Sequence, residues 1–332
     1  MSTAPAPRRP PDDALWEAFF RGDRVACARL ISLVEDRPDL LPAIRDRLIP
    51  RRRGAVRIGI TGPPGVGKST ITAALARRAV AAGHAVGVIA VDPSSPFTGG
   101  AFLGDRVRMQ GLLGDDRVFI RSMASREGHG GLSPATPYAA EVFDAFGMDR
   151  ILIETVGVGQ AELDVLSSAD LIALVLQPGT GDVIQALKAG IIEAADVLLV
   201  NKSDLPGVES LLDALRFLYE IGGRPQDTPP PPVFATAAVQ DRGLDEAYAG
   251  IETLVAAHAH SGRLRDKQRQ RLEEELRDSL REDLWERFAA LTGARAALRE
   301  AAGELLEHNR SPYPFLRAMG ARVRMEIEDE RT

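Results

Sequence analysis

The chain has 332 residues, 45% of them hydrophobic, with 47 acidic against 41 basic side chains and a formal net charge of −6. That length suffices for a full core with extra elements around one large domain, and the acidic balance gives no electrostatic footprint for nucleic acid. A single cysteine excludes an internal disulfide, and no apolar run reaches the length of a membrane span, so a reducing, cytoplasmic setting away from the membrane is expected.

In chain order, Met1 to Asp13 is rich in Pro and Ala without an apolar h-region, so it reads as a loose tail and not a signal peptide. Residues 12–50 read as helical. Leu15, Phe19 and Phe20 share a stripe, followed by Val25, Leu30, Leu33 and Val34, with Cys27 as a small core hydrophobe. Pro38, Pro42 and Pro50 punctuate the end of that region, and Arg51-Arg52-Arg53 reads as a solvated linker. From 55 to about 258, strand-like and helix-like segments alternate, with strands expected at 56–60, 86–91, 118–121, 151–154, 171–176, 196–200 and 233–236. Such alternation implies an α/β fold with a mostly parallel central sheet and helices on both faces. The proline run 229–232 reads as a stiff lead-in to the last strand.

The turn after the first strand is Gly62-Pro63-Pro64-Gly65-Val66-Gly67-Lys68-Ser69, followed by an Ala-rich helix expected from Thr70 to Ala82. The spacing G-x-x-x-x-G-K-S between a strand and a helix is that of a P-loop. Glycines let backbone N–H groups turn inward on phosphate oxygens, and the helix N-terminus adds partial positive charge beneath them. Lys68 is expected to bridge the β- and γ-phosphates, and the Ser69 hydroxyl to hold Mg²⁺. Asp92 and Glu154 end two other strands, the edge of an open α/β sheet where ligands bind, so both are expected near Mg²⁺ and the γ-phosphate. Gly157 can offer a backbone N–H to that phosphate.

Asn201-Lys202-Ser203-Asp204 follows another strand-like run. Guanine presents N–H donors at N1 and N2, which an acceptor-only carboxylate at Asp204 can take together, whereas adenine would leave it unpaired. The Lys202 stem can lie along the base face. Thr236, Ala237 and Ala238 follow the last strand and could place backbone N–H groups near the base. The nucleotide expected is therefore GTP or GDP.

From 262 onward the chain is highly charged, with Leu272, Leu276, Leu280, Leu284, Phe288 and Leu291 at steps of four and three on one helix face. That face needs a partner, and a homodimer contact is the favoured one. The expected organisation is an N-terminal helical extension over 1–50, a GTPase domain over 51–260 and a C-terminal helical arm over 261–332.

Four strings in this order, GITGPPGVGKST, VDPSSP with GGAFLGDRVRM, ILIETVGVGQAE and NKSD, resemble the MeaB/ArgK-type P-loop GTPases, a family that includes the methylmalonic aciduria type A protein. The resemblance covers roughly residues 15–260. It implies a GTPase chaperone that gates adenosylcobalamin loading and protects an adenosylcobalamin-dependent acyl-CoA mutase, usually methylmalonyl-CoA mutase, with a cobalamin adenosyltransferase as a further partner. Carried over by position, it places the phosphate loop on Gly62 to Thr70, and a Mg²⁺ shell on Ser69, Asp92, Asp105 and Glu154. A second switch falls on Glu154 to Gln160, and an additional switch runs from Pro178 through Asp182, Gln185 and Lys188. Departures from the family pattern are Glu127 and His129 in the loop Arg126 to Gly131, Ala237 where serine is common, and a C-terminal arm richer in Arg and Glu than the family pattern.

The expected reaction is attack of water on GTP, with Lys68, Mg²⁺ and backbone N–H groups neutralising charge on the transferred phosphoryl. Val158, not glutamine, follows Gly157, so slow intrinsic hydrolysis is expected, accelerated when a partner orders Asp182 and Lys188. Two rivals are a nickel or cobalt metallochaperone GTPase and a small-molecule or transport-associated kinase. Five scattered histidines with one cysteine argue against the first, and no acceptor-binding base is identifiable for the second.

Overall fold

A computed structural model describes residues 10–92, 114–124, 132–155, 161–179, 190–221 and 229–319. Asp105, the Arg126–Gly131 loop, Gly157, Gln160, Asp182, Gln185 and Lys188 lie outside these residues.

Seven strands form one sheet: β1 (Val56–Thr61), β2 (Val86–Asp92), β3 (Val118–Ala124), β4 (Arg150–Glu154), β5 (Leu171–Leu176), β6 (Val197–Val200) and β7 (Val233–Ala235). Their order is β3-β2-β4-β1-β5-β6-β7 and every neighbouring pair is parallel. Strands of a parallel sheet are covered on both faces, which is why they read as continuous Val/Ile/Leu runs and not as alternating ones. β1 and β5 are buried at every position.

The two faces carry separate cores, sorted by the period of two along each strand. Ile151 and Ile153 pack with Phe143, Leu30 and Leu33, whereas Leu152 between them packs with Ile58, Leu75 and Ile251. The first core joins the sheet to α1 (Asp13–Phe20), α2 (Arg24–Asp36), α3 (Leu41–Leu48), α5 (Thr136–Phe146) and α6 (Ala161–Ser168). The second joins it to α4 (Lys68–Ala81) and α9 (Leu244–His260). On the same face as the first core, α7 (Ile191–Ala194) and α8 (Val208–Ile221) form a third one on Leu174, Leu176, Leu198 and Val200.

The N-terminal helices thus share a core with the sheet. Asp12 caps α1 by accepting from Leu15 N, and Asp23 caps α2 by accepting from Val25 N and Ala26 N. Of the expected stripe, Leu15, Phe19, Leu30, Leu33 and Val34 are buried, while Phe20 and Val25 face solvent. Val25 lies in the capped first turn of α2 on the face turned away from the core, while Ala26 and Cys27 beside it are buried. Pro42 opens α3 instead of ending a helix, because a first-turn proline forfeits no intrahelical bond. Burial pushes the Cys27 thiol well above its ordinary range.

Arg51-Arg52-Arg53 is not a solvated linker. The buried Asp144 carboxylate on α5 accepts from Arg53 N at 2.7 Å, Gly54 N at 2.9 Å, Ala55 N at 3.2 Å and Arg52 Nε at 3.0 Å. A carboxylate this buried requires such partners, and the run that enters β1 supplies them. Arg51 lies over the Phe20 ring. Arg24 donates to Asp116 O and Val118 O, covering carbonyls beside the edge strand β3.

The chain divides into two compact units, 1–265 and 266–332. The helix α10 (Arg263–Thr292) begins before that division and is the longest described element of the second unit. Gly293, at φ +64°, ends it and opens α11 (Ala294–Glu307). Within the second unit Ala289, Ala294 and Met319 are buried against Phe288, Ala297 and Phe315. Leu272, Leu276, Leu280 and Leu284 on α10 are 50, 56, 60 and 63% exposed. No helix among the described residues is long and apolar enough to cross a membrane.

Candidate active site

The central position of β1 sets the site. It lies between β4 and β5, so the turn that leaves it opens beside the ends of both neighbours. Gly62 has φ +141°, and a Cβ there would fall 2.1 Å from Val175 O on β5. Gly67 has φ +95°, and its Cβ would fall 2.4 Å from Asn201 Nδ2. Both glycines are therefore required by close approach, not by turn statistics alone. Gly67 also opens α4, so the first N–H groups of that helix point into the turn.

Lys68 is buried, and its Nζ donates to Gly62 O at 2.6 Å and Pro63 O at 2.9 Å. The side chain folds back over the turn it belongs to, with its charge at the cavity floor. Ser69 Oγ donates to Glu154 Oε1 at 2.5 Å, and both residues are buried. A hydroxyl and a carboxylate facing each other are hard oxygen donors, so these residues fit a Mg²⁺ ion that retains part of its water shell. Asp92 is the last residue of β2, and its side chain lies outside the described residues. Thr155 Oγ1 bonds back to Ile60 O at 3.4 Å and fixes the end of β4 against β1.

Asn201 joins the phosphate end to the base end. Its Nδ2 donates to Val66 O at 2.7 Å, and its Oδ1 accepts from Ala238 N at 3.1 Å and Thr236 Oγ1 at 3.3 Å. Lys202 takes the left-handed region at φ +56°, and its Nζ donates to Gly65 O at 2.8 Å. Asp204 is exposed in the turn that follows. The backbone N–H groups of Thr236, Ala237 and Ala238 go to Val200 O, Arg242 O and Asn201 Oδ1, so they build the turn in this structure.

These parts surround one cavity of about 620 Å³. Of the expected residues, Gly65, Gly67, Lys68, Ser69, Thr70, Glu154, Asn201, Lys202, Asp204, Ala237 and Ala238 line it. Gly62, Pro63, Pro64, Val66 and Thr236 are not among its lining residues; the hydrogen bonds above place Gly62, Pro63, Val66 and Thr236 behind the wall. Val91, Thr155, Leu205, Val239 and Gln240 line it as well and were missed from sequence. The available signal was an apolar residue in a polar turn at Leu205, which follows the base reader directly; Val239, 91% exposed, carried no such signal. A cavity lined by a buried lysine, an exposed carboxylate and apolar side chains suits a nucleoside triphosphate.

A family model described as Methylmalonyl Co-A mutase-associated GTPase MeaB matches residues 27–292. The chain belongs to the MeaB family. Among relatives, a protein of Pyrococcus abyssi described as a GTPase is 45% identical over 273 residues, covering 80% of this chain and 82% of that protein. The GTPase ArgK of Escherichia coli is 33% identical over 317 residues, covering 93% of this chain and 96% of its own. The methylmalonic aciduria type A homolog of Mus musculus, a mitochondrial protein, is 37% identical over 206 residues, covering 58% of this chain and 50% of that one. The crystal structure of a LAO/AO transport system kinase is 28% identical with a TM-score of 0.71, covering 95% of this chain and 100% of that one. This MeaB-family chain is a GTPase, and its P-loop fold is that of its relatives.

Proposed function

We propose that this GTPase gates adenosylcobalamin loading on a cobalamin-dependent acyl-CoA mutase and protects that enzyme, with methylmalonyl-CoA mutase as the first client. The observation that carries the reading is the single cavity joining Lys68, Ser69 and Glu154 to Asn201 and Asp204 in a chain of this family. The name of the family and that of the mouse relative support the choice of client. A cobalamin adenosyltransferase is the further partner that cofactor loading calls for.

Water attacks the γ-phosphorus of GTP and GDP leaves. Lys68 exchanges its two turn carbonyls for phosphate oxygens, and the first N–H groups of α4 complete the cradle. Ser69, Asp92, Asp105 and Glu154 would hold Mg²⁺, which neutralises charge on the phosphate oxygens when bound. Asp204 accepts from guanine N1 and N2, and Asn201 keeps that turn in step with the phosphate loop. Gly157 would offer its backbone N–H to the γ-phosphate, and the client would accelerate hydrolysis by ordering Asp182 and Lys188, so hydrolysis is slow without it. The exposed leucines of α10 form a homodimer contact, because four half-exposed leucines on one face leave apolar area in water.

The test is GTP hydrolysis by the purified chain, alone and with a cobalamin-dependent acyl-CoA mutase, with ATP as control. Stimulation by the mutase on GTP alone is the expected result. A GTPase rate unmoved by several such mutases removes the chaperone role and leaves the nucleotide chemistry.

A further inference from the structure

Arg78 lies near the far end of α4, the helix that begins at Lys68, about 15 Å along its axis. Its Nε donates to Asp245 Oδ1 at 2.7 Å, and its Nη1 to Asp241 Oδ1 at 3.1 Å. A longer bond to Ala74 O, at 3.4 Å, holds the guanidinium along the helix. The Arg78 side chain is only 12% exposed. Burial alone would lower its pKa, but the two carboxylates outweigh that and hold it above the ordinary value. Arg78 in turn holds the Asp241 carboxyl below the ordinary range.

The two acids follow directly on the turn that walls the base end of the cavity. Ala237 and Arg242 exchange both backbone hydrogen bonds, at 3.0 and 3.3 Å, around the short 3₁₀ turn Ala238–Gln240. Asp241 closes that turn in the left-handed region at φ +54°. Gly243 follows at φ +69°, where a Cβ would fall 2.1 Å from Ala235 O. Asp245 lies in the first turn of α9. Residues 237–240 lie between β7 and α9; Ala238 packs in the core that holds α4, and two polar ties also reach the phosphate loop and its helix. Asn201 is one, at the start of α4; Arg78 is the other, farther down the same helix.

We propose that Arg78 is a positioning residue for guanine recognition: by clamping Asp241 and Asp245 it sets the distance between the base turn and the phosphate loop. The proposal rests on the assignment of Asn201 to Asp204 as the guanine reader. A pair of this kind that served stability alone would leave nucleotide affinity untouched. A clamp instead controls affinity through the base while leaving the γ-phosphate chemistry alone, so it separates KM from kcat.

The experiment uses the full-length chain as wild type, Arg78→Ala, Arg78→Lys, Asp241→Asn with Asp245→Asn, and the combined triple variant. Binding of methylanthraniloyl-GDP is titrated, and kcat and KM are measured for GTP. Arg78→Ala and the double Asn variant should each weaken binding and raise KM about fivefold with kcat unchanged. The triple variant should be no worse than either, because both remove one interaction. Lysine should restore only part, since it is a point charge and cannot fork to two carboxylates. Unchanged affinity, additive losses or an equal fall in kcat each overturn the clamp. Asp204→Asn is measured alongside for preference of xanthosine triphosphate over GTP. If it switches while Arg78→Ala binds normally, the clamp alone fails; if it keeps its preference for GTP, the guanine reader and the clamp fall together.

Discussion

The helix α2 and the arm helix α10 carry equally regular apolar spacing and end in opposite environments. Leu30, Leu33 and Val34 are sealed between α2, α5 and the sheet. Leu276 and Leu280, just as regularly placed, stay more than half exposed. Periodicity identifies the residues that share a face; it does not identify what covers that face. In the first unit the cover is encoded nearby in the same chain, in strands and helices that alternate. In the second, Ala289, Ala294 and Met319 are the buried apolar residues among those described, and the leucine face is left to a second copy under the proposed function.

The largest expected contrast is in stability. Leu30→Ala should cost roughly 2–5 kcal/mol, because a fully buried leucine leaves a cavity. Leu280→Ala should stay within about 0.5 kcal/mol at protein concentrations low enough to keep the chain monomeric. Urea unfolding at low concentration measures both. A loss of several kcal/mol at Leu280 would show that the arm face is covered within one chain, and the dimer assignment would go with it.

Activity divides the two regions in the same way at a slightly smaller scale. Lys68→Ala should lower kcat for GTP roughly 100- to 1,000-fold, the range for removing one preorganised donor from a developing charge. Leu276→Asp with Leu280→Asp should leave hydrolysis without a client within about twofold, since surface changes remote from a site are close to neutral. Light scattering should show the same double variant shifting from dimer to monomer. Hydrolysis that collapses together with the dimer would mean that the site needs the second copy.

What the sequence disclosed follows the same division. The strands were readable because they are apolar runs, with β1, β5 and β6 buried at every position, and all seven start within about one residue of expectation. Lys68, Ser69 and Asp204 were readable because each sits in a turn of fixed spacing. The docking of Arg52 on Asp144 was not, since nothing local marks a buried acid some ninety positions away as its partner. Arg78 was hidden for the same reason: an arginine on an Ala-rich helix looks solvated until Asp241 and Asp245 are folded onto it. Val239 looked like any loop valine, and only the fold puts it at the cavity mouth.

The smallest expected effect is a pH dependence that separates a half-buried pair from the arm's exposed ones. Arg150 on β4 forks onto Glu252 of α9, Nε to Oε1 at 2.9 Å and Nη2 to Oε2 at 2.6 Å. Burial by itself would raise the Glu252 carboxyl, but the hydrogen bonds and charge of Arg150 outweigh it and hold the group below its ordinary value of 4.5. A carboxyl lowered on folding stabilises the native state above its unfolded pKa, and that stabilisation is lost as pH falls through the folded one. Glu252→Gln should therefore cost about 1 kcal/mol or less at pH 7, once solvent screening is allowed for, and the gap to wild type should narrow below the ordinary carboxylate range. Glu273→Gln, which removes the exposed pair with Arg277 on α10, should cost only about 0.3–0.5 kcal/mol. Paired urea melts at neutral and acid pH read both differences. A Glu252 gap that stays constant with pH would place its contribution in packing of the side chain and not in its charge, and the pair would then be no different in kind from an apolar contact.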